Sequence, residues 1–342
     1  MNGRFINVSR ILWILWLFVS LTGSAFAQEK ALSELAEGAK KDGNLVWYTT
    51  MTSNQAEQYL KEFEKKYPFV KPELYRAVSN TILNKIITDK NAGKTFADVV
   101  TMGGFQSYYL KKKGLTLSYK SPQARAIPEQ FKDPEGYWVA FYQSTSVIAY
   151  NTKLVPSKDL PKSYQDLLDA KWSGELGMDD SDEEWFANQC KSWGDEKCVN
   201  FMERLIQQKP HIIRGQNLLA QLLAAGEFAI AVIAYGHSIE ELKATGAPVD
   251  WVAPNPMLSK IYPMAILSDA PHASAAKLFF NFALSKEGQT LLTKFKRIPT
   301  RLDVESVPPR LTRGLNIRAS DLSLAEKFED YARLWRKLIE KK

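Results

Sequence analysis

Apolar positions along the chain fall into two alternating rhythms. Leu32, Leu35, Ala36 and Ala39 repeat at helical spacing and stop at Gly43, and the run Leu45-Val46-Trp47-Tyr48 then reads as a buried strand. Ala56, Tyr59, Leu60, Phe63 and Tyr67 mark a second helix that Pro68 stops, and Thr52 with Gln55 predicts a capping box at its start. A strand over 70–75, a helix through Ile82, Ile86 and Ile87 and a strand over 97–100 continue the pattern. Alternation of this kind predicts an α/β fold with a parallel sheet. A second unit begins at 147–150 and adds strands at 175–178 and 229–233, with helices over 164–168, 184–191, 199–207 and 218–224 between them.

Extended segments over 137–145 and 249–256 join the two units. The expected architecture is therefore two lobes, each a mixed, mostly parallel sheet flanked by helices, joined by hinge strands that let the lobes close over a ligand. The expected boundaries are 28–142 and 255–284 for the first lobe, 143–254 and 285–342 for the second. In open α/β sheets the ligand crevice lies beyond the carboxyl ends of the strands, so the loops 49–53 and 101–105 should face it. Thr50, Thr52 and Ser53 offer hydroxyls and helix-start N–H groups there, and Gly103-Gly104 permits close backbone approach. Ordinary capping and turn chemistry is the alternative for both loops.

The first 27 residues change the picture. Arg4 and Arg10 flank a polar start, an apolar run follows from Ile11 to Val19, and Ala25-Phe26-Ala27 closes it. This is the pattern of a secretory signal cleaved after Ala27. The run is short for a bilayer span, and no Cys lies at the cleavage site to take a lipid. The mature chain is expected in the periplasm, as a monomer.

Charge adds little. The 45 basic and 38 acidic residues of the full chain give +7, which falls to +5 when Arg4 and Arg10 are removed. So mild an excess, scattered along the chain, does not point to nucleic acid. Cys190 and Cys198 flank Trp193-Gly194-Asp195 in what reads as helix, turn, helix, and export makes a disulfide between them the expectation. Two separate buried thiols are the other reading.

Residues 137–152, reading YWVAFYQSTSVIAYNT, resemble the first hinge strand of the extracellular solute-binding proteins of ABC importers, in particular the ferric-iron-binding-like group. Gly215 to Tyr235, with Ala224-Ala225-Gly226-Glu227 before a strand, is similar to a second family segment. Ala270 to Phe279, followed by Leu284 to Gln289, is similar to a third. The resemblance implies the type 2 periplasmic binding fold, a small-molecule or metal ligand, and ABC permease subunits in the inner membrane as partners. It implies no cofactor; ferric iron would be cargo. Iron-binding members of the group use two adjacent tyrosines after the strand that follows the AAGE helix; here Tyr235 aligns and Gly236 stands in the second place.

The candidate ligand set extends from these segments. Tyr235 and His237 lie past a strand end near the second crossing, where a phenolate and an imidazole suit a metal or an organic solute. Gln143 and Ser144 lie on the first crossing. Asp179-Asp180-Ser181-Asp182-Glu183-Glu184-Trp185 holds five carboxylates in six positions, and a cleft-facing Asp179 or Asp180 with Trp185 beneath would suit a cation, an amine or a metal. Capping and solvation also account for such acids. Gln216, beside Arg214, opens another helix, and Arg297 and Arg301 flank a turn, so an anion could equally be clamped.

Catalysis finds no support: G-x-S-x-G, H-E-x-x-H and a Cys-His arrangement are all absent from the sequence. Of His211, His237 and His272, only His237 is placed to act as a base in a hydrolase or lyase reading. A ligand sensor that partners a receptor would use the same fold.

Overall fold

The computed structural model describes residues 32–340, so the expected export signal lies outside them. A helix over 32–42 leads into eleven strands: β1 (Asn44–Thr49), β2 (Lys71–Arg76), β3 (Val99–Thr101), β4 (Val139–Asn151), β5 (Leu176–Asp179), β6 (His211–Ile213), β7 (Ile230–Tyr235), β8 (Val249–Val252), β9 (Met257–Ile266), β10 (Ile298–Pro299) and β11 (Ile317–Ala319). They form one ribbon in the order β2-β1-β3-β9-β4-β7-β5-β6, with β8 and β10 added to β4 and β11 to β9.

The outer strands of each half pair in parallel, β1 with β2 and β3, and β5 with β6 and β7. Their helical crossovers require this. The centre is antiparallel instead. Residues 139–145 of β4 pair with β9, while 146–151 of the same strand pair with β7 and β8. One strand of 13 residues thus belongs to both lobes. The second crossing is β9, not the predicted 249–256, because Val249–Val252 stays in the second lobe against β4 and the chain turns at a cis Asn255-Pro256 bond before crossing.

Two large apolar clusters sit on either side of this crossing. In the first, Trp47, Tyr59, Phe63, Phe141, Phe279 and Phe282 meet with edge-on or tilted rings. The second gathers Tyr164, Trp185, Phe186, Phe201 and Trp335 over β5 and β7. A smaller cluster around Leu219, Leu223, Phe228 and Trp251 covers the other face of that sheet. Gly226 ends the helix Gln216–Ala225 in the left-handed conformation, φ 85°, its N–H returning to the Leu222 carbonyl.

Two expectations need correction here. The helix Lys286–Lys294, assigned to the second lobe, buries Leu291 and Leu292 in the first cluster. Its Gln289 is fully buried and pins β4: Nε2 donates to the carbonyls of Phe141 at 2.8 Å and Ala283 at 3.0 Å, and Oε1 accepts from Thr300 N at 2.8 Å. The capping box does not form either. Thr52 makes no side-chain cap, and Gln55 instead accepts a bond from Arg297. Cys190 and Cys198 are bonded, tying the end of Glu183–Trp193 to the start of Asp195–Gln207.

Candidate functional site

Strand geometry assembles the site. Tyr142 pairs with Tyr262 and Ser144 with Lys260 across β4 and β9, and Ser146 pairs with Tyr235 across β4 and β7. Directly opposed residues share a face, and so do residues two apart on a strand. Tyr142, Ser144, Ser146, Lys260, Tyr262 and Tyr235 therefore line one side of the ribbon where the lobes join. The Tyr142 and Tyr262 rings stack at 4.5 Å with planes 19° apart.

Arg297, just before β10, lies over this floor. Its guanidinium carbon is 5.1 Å from the Tyr142 ring centre, Nε donates to Gln55 Oε1 at 3.0 Å, and Nη1 donates to His237 Nε2 at 3.2 Å. One side chain thus reaches both lobes. Because guanidinium can only donate, His237 must accept through Nε2 and carry its proton on Nδ1. Burial, and then the Arg297 charge, hold the imidazole well below its usual pKa. Its ring stacks on Tyr235 at 5.8 Å, 18° from parallel.

From the second lobe, Asp182 Oδ2 accepts from Gln216 Nε2 at 2.9 Å, and Glu184 lies 3.5 Å from the Lys260 ammonium. Burial alone would lower the Lys260 pKa, yet Tyr235, Glu184, Tyr262 and Asp182 outweigh it and hold it well above its ordinary value. Burial raises the Asp182 carboxyl well above its range, with Asp179 adding to the effect. It pushes Tyr142 up to about 12, Arg297 pulling the other way, and lifts Tyr235 well above a free phenol despite Lys260. Several buried polar atoms here have no partner within the chain: Ser144 Oγ, Glu184 Oε1, Gln216 Oε1 and His237 Nδ1. Such atoms are costly unless something else bonds them. Around one charged floor, such atoms are free to bond a ligand.

The predicted residues divide accordingly. Thr50, Ser144, Gln216, Tyr235 and His237 come together, whereas Thr52 and Ser53 lie at the start of the helix Ser53–Lys66 and contribute no side-chain cap. Gln143 is spent on the hinge, donating to the Pro299 carbonyl and accepting from Ser259. Asp179 caps its own loop, its Oδ1 taking Ser181 N, Ser181 Oγ and Gly215 N. Asp180 is partly buried, with its carboxyl raised by burial and then by Asp179. Trp185 does not lie beneath the cleft: its ring packs against Tyr164 and Trp193 in the second core, and Nε1 donates to Tyr164 Oη at 3.2 Å. Gly103 N is taken by Ser79 Oγ, and the close approach at Gly104 is that of Leu322.

Sequence reasoning missed Tyr142, Tyr262 and Lys260, and left Arg297 as one arginine among several. Lys260 was the available signal, a lone charge inside the otherwise apolar run Met257–Ile266. As a metal pair, Tyr235 and His237 fit poorly, since Nε2 faces a guanidinium and the rings stack flat. Among the described residues no three His, Cys, Asp or Glu side chains gather as a metal-holding group.

Comparison with known proteins gives the family and the fold. A sequence model of the bacterial extracellular solute-binding protein family matches residues 58–313. A probable ABC transporter periplasmic-binding protein, y4fP of Sinorhizobium fredii, is 33% identical over 103 residues, 30% of this chain and 28% of that one. Among solved structures, the periplasmic binding protein AfuA from Actinobacillus pleuropneumoniae, with exogenous fructose-6-phosphate bound, superposes with a TM-score of 0.73 at 27% identity, covering 87% of this chain and 98% of that one. Iron-bound HitA from Pseudomonas aeruginosa superposes with a TM-score of 0.76 at 20% identity, covering 86% and 99%.

Proposed function

The chain belongs to the family of bacterial extracellular solute-binding proteins, and from that premise we propose that it is the periplasmic carrier of an ABC importer for a small phosphorylated or otherwise anionic organic solute. The observation that carries this reading is the hinge floor, where Arg297 and Lys260 stand among tyrosine and serine hydroxyls with unpartnered polar atoms around them. Guanidinium and ammonium groups are the counter-charges an anion needs. Asp182, Gln216 and Glu184 supply acceptors for the hydroxyls of the same solute. Fructose-6-phosphate in AfuA has this combination of anion and polyol.

In this reading the 27-residue leader directs export and is removed after Ala27. The monomeric mature protein closes on its solute and delivers it to permease subunits, without chemistry. Ferric iron is the second reading, favoured by the convergence of Tyr142, Tyr235 and Tyr262.

Thermal melting and calorimetric titration of the mature protein with fructose-6-phosphate, fructose, inorganic phosphate and ferric citrate separate the two. A bound solute at 100-fold excess over its dissociation constant adds about 2.7 kcal/mol to the native state. Stabilisation by the phosphorylated sugar beyond either of its halves is expected. A tyrosinate-to-iron absorption band lost in Tyr235→Phe, without response to organic anions, would replace this reading with iron carriage.

A further inference from the structure

The last described segment of the chain touches both lobes behind the cleft. β11 pairs with β9 at Met257–Ser259, the start of the second crossing. Leu322 then enters the first apolar cluster, its Cδ2 so close to Gly104 that a Cβ there would lie 2.3 Å away. The Phe328 ring meets that of Phe105 at 5.4 Å, and Glu326 takes Tyr108 Oη at 2.7 Å and Lys112 Nζ at 2.9 Å. All these partners lie on the helix Gly104–Lys112, which opens at the first lobe's cleft loop.

The helix Phe328–Ile339 then reaches the second lobe. Trp335 is fully buried against Phe186 and Leu338 is buried beside it, while Trp335 Nε1 donates to the Asp180 carbonyl at 2.8 Å. Asp180 belongs to the second lobe's cleft loop. Asp321 pairs with Lys191, and its N–H donates to Asn188 Oδ1 at 2.8 Å. Phe328 and Trp335 are only about 10 Å apart along one rigid helix, at 1.5 Å per residue.

We propose that residues 317–339 form a strap, fixed to the second lobe by Trp335 and releasably docked on the first by Leu322 and Phe328, that limits how far the lobes part. The asymmetry follows from burial. Trp335 and Leu338 lie inside the second core, whereas the first-lobe dock has one buried leucine, with Ala319, Leu324, Ala325 and Phe328 only half-buried around it and a Glu326–Lys112 pair whose side chains are more than half exposed. When the lobes rotate, a single helix cannot keep both attachments, so the weaker one slides or lets go. The strap therefore biases the ligand-free protein toward the arrangement in which the cleft residues meet.

The strap rests on the solute-binding reading only for its effect on affinity, and the test separates the two. Nitroxide labels at Lys61→Cys and Lys158→Cys, exposed on the first and second lobes, report the interlobe distance by pulsed dipolar spectroscopy under oxidising conditions. Leu322→Ala, Phe328→Ala and Gly104→Ala, the last displacing Leu322 from the opposite side, should each lengthen and broaden the ligand-free distribution. An unchanged distribution in Phe328→Ala and in whichever of the other two stays folded overturns the strap. With fructose-6-phosphate as probe, a fall of the closed fraction from about one half to about one tenth weakens affinity roughly 5-fold. If that sugar binds neither parent nor variant, the solute assignment fails while the distance measurement still decides the strap.

Discussion

Arg297→Ala is the most searching perturbation of the site. The side chain commits two N–H groups, Nε to Gln55 and Nη1 to His237, and rests its face on Tyr142. Guanidinium carries five N–H groups in all, so three are left for an anion. A charge-assisted hydrogen bond contributes about 1.5–3 kcal/mol, and 1.4 kcal/mol is tenfold in affinity. Loss of the side chain should therefore weaken binding of the anionic solute by roughly 10- to 150-fold. The truncation also strips buried His237 Nε2 of its donor, so some loss of stability accompanies it. Arg297→Lys keeps the charge but not the fork and should fall between. The assay is calorimetric titration of the three proteins with fructose-6-phosphate at two ionic strengths, with melting curves to normalise folding. Equal affinities in all three, with intact melting transitions, would refute the assignment of Arg297 as counter-charge.

Three further outcomes are expected. Replacing Cys190 and Cys198 with Ser removes a short closed loop and should cost about 2–3 kcal/mol, read as a lowered melting temperature that reducing agent reproduces in the parent. Gly177→Ala would put a Cβ within 2.4–2.9 Å of the buried Phe228 ring and should cost about 1–3 kcal/mol, with Phe228→Leu restoring part of the loss in the double variant. Asp182 is raised by burial and then by Asp179, so its ionisation opposes folding; the stability its protonated form allows at low pH is lost as pH rises from the ordinary carboxylate range through its folded value. Asp182→Asn, which keeps an acceptor for Gln216, should melt higher than the parent at neutral pH and lose that advantage near pH 4 and below, about the ordinary carboxylate value. A difference independent of pH would dismiss the buried charge as its cause.

The alternation of strands and helices was legible because each element has one apolar face and one wet face, as Ala56, Tyr59, Leu60 and Phe63 show on their helix. The hinge floor was not, because β4 is buried almost along its whole length. With both sides of a strand covered, polar and apolar positions cease to mark inside and outside, and Tyr142 and Ser144 read as core. Pairing supplies what periodicity lacks: only the register of β4 on β9 puts Lys260 beside Ser144 and Tyr262 beside Tyr142. The acidic run misled for the opposite reason. Asp179 is taken up by Ser181 of its own loop and by Gly215 of the neighbouring one, so a conspicuous cluster was partly local chemistry. The place of the helix Lys286–Lys294 was illegible for a third, since its apolar stripe fits either core and only the Gln289 bonds to Phe141 and Ala283 decide it.

That β4 runs unbroken through both lobes has a consequence for how weak contacts add up. A strand of 13 residues laddered on both sides can twist but cannot swivel freely. The groups of the second lobe are thereby held near a solute captured by the first at an effective concentration set by the ribbon rather than by diffusion. Two half-sites held in this way act on a dilute solute as one bidentate receptor, and stiffening or slackening the ribbon should tune retention without altering a single contact.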